Sequence, residues 1–202
     1  MSWRVSRRRD ATRITHDHTH TPLIVLGIDP GTAVTGYGVV QTDRAGRFTL
    51  IECGVIRTRP RDPLPARLQE IHEGVAELIR THHPDAVALE DVFYAHNVRT
   101  TIVLGHARGV ILLAAQQARI TIAEYPPATI KKAVVGTGSA TKNQVQFMLT
   151  RLLRLKSVPH PSDAADGVAA ALTYAMSERT SRGIQGSIAG TTTAHTPPST
   201  RR

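Results

Sequence analysis

Four carboxylates stand where a sheet protein could gather its chemistry. Asp29 closes the run Gly27-Ile28-Asp29-Pro30-Gly31, and Glu90 closes Ala88-Leu89-Glu90-Asp91. Asp163 and Asp166 lie three residues apart after Pro161-Ser162. On a helix that step puts both side chains on one face, about 4.5 Å apart along the axis at ~1.5 Å per residue. Converging carboxylates repel, and burying them unpaired is costly. A divalent cation removes the conflict. Carboxylate and water ligands suit Mg²⁺ or Mn²⁺, which keep open positions for phosphate oxygens, and a pair of such ions can bracket an in-line displacement at phosphorus. Each acid also has an ordinary reading. A strand-end Asp before Pro-Gly is a turn residue, Glu90 can begin a solvated loop, and Asp163-x-x-Asp166 has the look of a capping pair favoured by the helix dipole. Their joint occurrence at two strand ends and one helix start favours the metal reading.

The elements that would position them follow from periodicity. Leu23–Ile28 is a short apolar run fit for a buried strand. Thr35–Gln41 and Phe48–Arg57 alternate, and the turn signal Asp43-Arg44-Ala45-Gly46 joins them as an antiparallel pair. Pro63 or Pro65 opens a helix to about Thr81, with Leu68, Ile71, Val75 and Leu78 at helical spacing. Ala86–Leu89 is a second core strand, Asn97–Arg119 a long helix, and Ile120–Tyr125 a third core strand. Pro126–Val135, Thr141–Lys156 and Asp163 to about Arg179 read as helices. Three antiparallel strands followed by βαβ alternation predict an α/β fold, one mixed five-stranded sheet with helices on both faces. In such sheets chemistry gathers near the carboxyl ends of the parallel strands.

Composition excludes several classes. The 202 residues fit one domain with tails, and 41% hydrophobic against 20% charged residues excludes full disorder. One cysteine, Cys53, excludes an internal disulfide framework and a cysteine zinc site. No uninterrupted apolar run approaches the roughly 20 residues of a membrane span, so no membrane partner and a reduced, cytoplasmic setting are expected. Two-thirds of the net charge of +9 sits in the ends. Residues 1–22 and 180–202 lack an apolar period and read as a disordered basic extension and a disordered tail around a single domain over 23–179. The His16–His20 cluster in that arm reads as incidental. Within the domain, residues 99–156 hold nine Lys and Arg and one acid, Glu124, which points to a polyanionic partner.

Several stretches resemble the RuvC-type crossover junction endodeoxyribonucleases. Ile24-Val25-Leu26-Gly27-Ile28-Asp29-Pro30-Gly31-Thr32 and Thr35-Gly36-Tyr37-Gly38-Val39 resemble that family's opening. Ala88-Leu89-Glu90-Asp91-Val92-Phe93, Leu104-Gly105-His106-Ala107-Arg108-Gly109, Lys131-Lys132-Ala133, Lys142-Asn143-Gln144 and Asp163-Ala164-Ala165-Asp166-Gly167 follow in order. The resemblance covers about 23–176. It implies a ribonuclease H-like fold and a homodimer that resolves Holliday (four-way) junctions in DNA recombination and repair. The implied reaction is Mg²⁺-dependent hydrolysis, with Mn²⁺ able to substitute, making paired symmetric nicks that leave 5′-phosphate and 3′-hydroxyl ends. Asp29, Glu90, Asp163 and Asp166 fall on the family's four acidic positions, as catalytic and metal-holding residues. Phe93 falls on an aromatic that stacks at the junction centre, and Lys131 and Lys142 on basic positions that contact DNA. Lys132, Arg99 and Arg108 are further candidates for DNA contact. A branch-migration motor complex of the RuvA and RuvB type is the implied protein partner.

Two departures from the family pattern are visible. The amino-terminal extension is longer than usual, and His96 stands where a longer polar or basic side chain is expected. A rival reading, an actin-like or sugar-kinase ATPase, also opens with a strand, Gly-x-Asp and Gly-Thr. It needs a second such domain and a second Gly-rich phosphate loop, and this chain has neither. A catalytically dead junction-binding module would not need all four acids.

Overall fold

The computed structural model describes residues 22–91 and 98–189. Five strands, β1 (Leu23–Asp29), β2 (Val34–Thr42), β3 (Phe48–Arg57), β4 (Ala86–Glu90) and β5 (Thr121–Tyr125), form one sheet in the order β3-β2-β1-β4-β5. β1 pairs antiparallel with β2 and parallel with β4. The predicted mixed sheet is therefore present, with β1 at its centre.

Central position explains the β1 sequence. Its side chains are covered on both faces, so it reads as a nearly continuous apolar run rather than an alternation. Val25 packs into the cluster beneath one helical layer, while Leu26 and Ile28 pack into the cluster beneath the other. The second layer consists of α1 (Leu64–His82) and α2 (Val98–Gln117). α1 buries Ile71, Val75, Leu78 and Ile79, and α2 buries Ala107, Ile111, Ala114 and Ala115. The first layer consists of α3 (Pro127–Val135), α4 (Lys142–Leu152) and α5 (Ser162–Ala189).

Three helix boundaries depart from expectation. α4 ends at Leu152, not Lys156, because the chain leaves helical geometry at Arg154, whose φ is 54°. α2 stops two residues before Arg119, which takes φ 57°. α5 runs ten residues beyond Arg179, into the segment read as tail. A formed helix gains one hydrogen bond for each residue added, so a polar extension can continue it without an apolar face of its own. Residues 1–21 and 190–202 lie outside the described residues. α2 is long and apolar enough, by length and composition, to cross a membrane. It nevertheless carries Arg99, His106 and Arg108 and packs on the sheet through its alanines and Ile111.

Candidate active site

Strand periodicity brings the first two acids together. Gly27 pairs with Ala88 and Ile28 with Leu89 across the parallel β1–β4 ladder, so Asp29 and Glu90 are the next neighbours at the carboxyl ends. Side chains two apart share a face. Asp29 therefore projects on the side of Val25 and Gly27, and Glu90 on the side of Ala88, which is the face covered by α5.

α5 can lie against that face because the sheet there has no side chains to hold it off. A methyl group built on Gly27 would overlap the Gly167 carbonyl and the backbone nitrogen of Ala171. One built on Gly36 would overlap the carbonyl of Asp163. Gly36 is the antiparallel partner of Asp29. The glycine opposite the strand-end acid thus seats the first turn of the helix that carries Asp163 and Asp166.

The bases come from the other two helices of this layer. α4 starts at a complete capping box: the Thr141 hydroxyl accepts from the Gln144 amide N–H, and the Gln144 side chain accepts from the Thr141 N–H at 2.8 Å. That fixes Lys142 as the first helical residue, and its Nζ donates to Asp166 Oδ2 at 2.7 Å. α3 starts at Pro126-Pro127 and carries Lys131. A cleft of about 220 Å³ lies between these elements, lined by Asp29, Glu90, Lys131, Lys142 and Asp166 over an apolar wall that includes Ile130 and Val145.

The electrostatics are those of carboxylates short of positive charge. Burial, then the charges of Glu90, Asp166 and Asp163, push Asp29 up to about 8, with Lys142 opposing. Burial and then Asp166 push Glu90 up to about 7, against the pull of Lys142 and Lys131. Desolvation works to lower the Lys142 ammonium, but the Asp166 hydrogen bond and the charges of Asp166, Asp163 and Asp29 outweigh it and raise it. Among the described residues, no three His, Cys, Asp or Glu side chains already surround one point. Instead Lys142 supplies the cation beside Asp166. The donor set is nonetheless all oxygen, partly buried and mutually repelling, which fits a hard divalent ion.

The family profile for crossover junction endodeoxyribonuclease RuvC matches residues 25–174. The chain belongs to the RuvC family. It is thereby an enzyme, a crossover junction endodeoxyribonuclease with the ribonuclease H-like fold. The RuvC of Pelotomaculum thermopropionicum is 45% identical over 153 residues, which are 76% of this chain and 93% of that protein. The structure of Thermus thermophilus RuvC superimposes with a TM-score of 0.73 at 36% identity, covering 79% of this chain and 98% of that one. The T. thermophilus enzyme in complex with Holliday junction substrate gives the same TM-score and coverage at 34% identity.

Within the RuvC frame the predicted residues divide by position. Asp29, Glu90, Asp166, Lys131 and Lys142 share the cleft, and Asp163 acts on Asp29 and Lys142 through its charge. Lys132 is exposed one residue beyond Lys131. Arg99 is exposed at the start of α2, beside a separate recess lined by Thr32, Thr100, Val103 and Leu104. Arg108 does not line the cleft; it bridges Asp91, at 3.4 Å, and Glu124. Phe93, and the neighbouring His96, lie outside the described residues.

Some supporting residues had escaped the sequence reading. Arg67 Nε donates to the Thr32 carbonyl at 3.2 Å and to Thr58 Oγ1 at 3.1 Å, and Thr35 Oγ1 donates to the Gly31 carbonyl at 2.6 Å. Together they tie down the turn after Asp29. The Thr141-x-x-Gln144 spacing was a readable signal for the start of α4; nothing local in the sequence announced Arg67.

Proposed function

We propose that this chain resolves Holliday junctions by metal-dependent hydrolysis of DNA, with Asp29, Glu90, Asp163 and Asp166 as the metal-holding residues. The observation that carries this reading is the pair of part-buried carboxylates at adjacent parallel strand ends, each held well above the ordinary carboxylate range. A bound Mg²⁺, or Mn²⁺ in its place, would supply Lewis-acid stabilisation of charge on the phosphate and an activated water. Asp29 and Glu90 orient from the sheet, and Asp163 and Asp166 from α5. Lys142 and Lys131 present ammonium groups at the cleft, where they draw in and neutralise a DNA phosphate. Lys132 and Arg99 extend the basic surface, Arg108 borders it from its carboxylate bridge, and Phe93 stacks on an unpaired base at the junction centre. The nicks leave 5′-phosphate and 3′-hydroxyl ends.

The working unit is a homodimer, since a four-way junction needs two symmetric cuts. α2 supports this. Val98, Ile102 and Leu113 are 74%, 56% and 50% exposed, and Gly105 and Gly109 between them open onto empty space, so one helical stripe is apolar, small and uncovered. The enzyme acts in the cytoplasm beside a branch-migration motor complex of the RuvA and RuvB type. The test is incubation of purified protein with labelled four-way, Y-shaped and linear duplex DNA, with Mg²⁺ and with EDTA. The expected result is paired nicking of the four-way substrate with Mg²⁺ alone. Equal cutting of linear duplex, or cutting in EDTA, would overturn it.

A further inference from the structure

The α3–α4 layer has a second face that the cleft does not use. Val145 and Leu149 turn α4 inward, and the opposite face presents Asn143, Phe147 and Arg151 at four-residue spacing. Phe147 is 55% exposed. It forms one wall of an open apolar recess of about 290 Å³ with Val135, Asn143, Gln144 and Met148. The Arg151 guanidinium lies over its ring, 5.2 Å from the centroid. An exposed phenylalanine with a stacked arginine contributes little to a core, so the fold gives no account of it.

Charge decides what meets this face. From Tyr125 through Ser162 the sequence has no acidic residue and six Lys and Arg. Lys132 is exposed near the end of α3, and Arg154 is exposed just past α4. A surface of one sign with an aromatic in it fits nucleic acid: cations take the phosphates and the ring takes a base or sugar face. A guanidinium already stacked on a ring also has less freedom to lose on binding. The helix itself gives the route. Lys142 in the cleft and Arg151 are nine residues apart, about 13.5 Å along α4 at ~1.5 Å per residue and half a turn around it, which across a helix ~10 Å wide puts them roughly 17 Å apart. That matches about five nucleotides at ~3.4 Å of rise per strand charge.

We propose that the outer face of α4 is a second DNA contact, in which Phe147, Arg151 and Arg154 hold the strand about five nucleotides from the phosphate met by Lys142. This rests on the junction-cutting reading above and adds a binding site to it. Binding is measured by titrating a labelled four-way junction with full-length protein carrying Glu90→Gln to prevent cutting. Phe147→Ala should weaken binding about fivefold or more; Phe147→Trp should restore it, and Phe147→Leu should not. Arg151→Ala with Arg154→Ala should lower the slope of log K against log salt by about 1.8, at ~0.9 per lost phosphate contact. Neutral methylphosphonates, scanned on either side of the cut, should remove the effect of the arginine pair when placed about five nucleotides away. Melting temperatures within a degree or two of the parent keep a folding defect from mimicking these losses. Unchanged affinity and unchanged salt slope in both variants would overturn the proposal and leave the recess to a protein partner. Failure of the wild-type protein to nick junctions would instead refute the reading on which it rests.

Discussion

Replacing Asp29 by Asn should stabilise the metal-free protein at high pH while ending cleavage. In the folded protein Asp29 moves from 3.8 to about 8, with burial as the first cause and Glu90 as the second. The folded state thus holds this proton more tightly than the unfolded chain does. The wild-type protein is relieved of the penalty below about pH 4, loses stability as pH rises toward 8, and levels off above it. At 1.36 kcal/mol for each tenfold change in proton affinity, the ionised carboxylate costs the fold about 6 kcal/mol. Burying an imperfectly bonded amide in its place costs about 1–3 kcal/mol, and part of the penalty belongs to Glu90, so a net gain of about 2 kcal/mol is expected at pH 9. For a domain of this size that is roughly 4–8 °C in Tm. At pH 5 only about 1.6 kcal/mol of the penalty remains, at 1.36 kcal/mol per pH unit above 3.8, and the cost of the buried amide offsets it, so the gain should vanish. The assay is thermal unfolding in EDTA at pH 5, 7 and 9, beside single-turnover cleavage of a four-way junction in Mg²⁺ at pH 8. A Tm difference that is the same at pH 5 and pH 9 would refute the electrostatic reasoning. A variant that cuts at the wild-type rate would refute the role of Asp29 as a metal-holding residue.

Divalent ions should reverse that pH dependence: affinity for Mg²⁺, read by calorimetry, should rise between pH 6 and 8.5, because protons must leave Asp29 and Glu90 first. Flat affinity over that range would count against these two acids as ligands. Asp163→Asn and Asp166→Asn separate a helix cap from a metal site. A cap would tolerate Asn almost silently, or lose about 0.3–1 kcal/mol through the dipole, whereas loss of about 3 kcal/mol of transition-state stabilisation slows single-turnover cleavage a hundredfold or more, which is the outcome expected. Gly36→Ala should displace the first turn of α5, since its methyl overlaps the Asp163 carbonyl. Cleavage should fall at least tenfold in a protein that still unfolds cooperatively, and undiminished cleavage would show that α5 can shift without consequence.

What could be read from the sequence was mostly local. β1 and β4 announce themselves as apolar runs, and the acid that ends each run follows directly, so the strand-end positions of Asp29 and Glu90 are legible in the sequence. The breaks near Arg119 and Arg154 were missed because a left-handed residue other than glycine leaves no mark in periodicity. The continuation of α5 to Ala189 was missed because composition registers lost apolar surface, not helix propagation. Lys142 and Asp166 are 24 residues apart and meet only because α4 and α5 pack on the same face. Gly27 and Gly36 stood out as motif letters, but their service as seats for a helix backbone depends on which strands neighbour which.

That seat separates two properties usually held in the same residues. Stability resides in the apolar clusters on either side of the sheet, where Leu26, Ile28, Leu149 and Leu172 are fully buried. The contact of Gly27 and Gly36 with α5 adds little apolar area, yet it sets how far the helix-borne acids stand from the strand-borne ones. Glycine has no rotamers, so a misfit there cannot relax by a side-chain rearrangement and passes to the helix as a rigid displacement. Screens for thermostable variants would reward changes in the clusters and would not report how far the acids have moved at this seam. Any redesign of the enzyme should therefore hold the glycines fixed and look for robustness elsewhere.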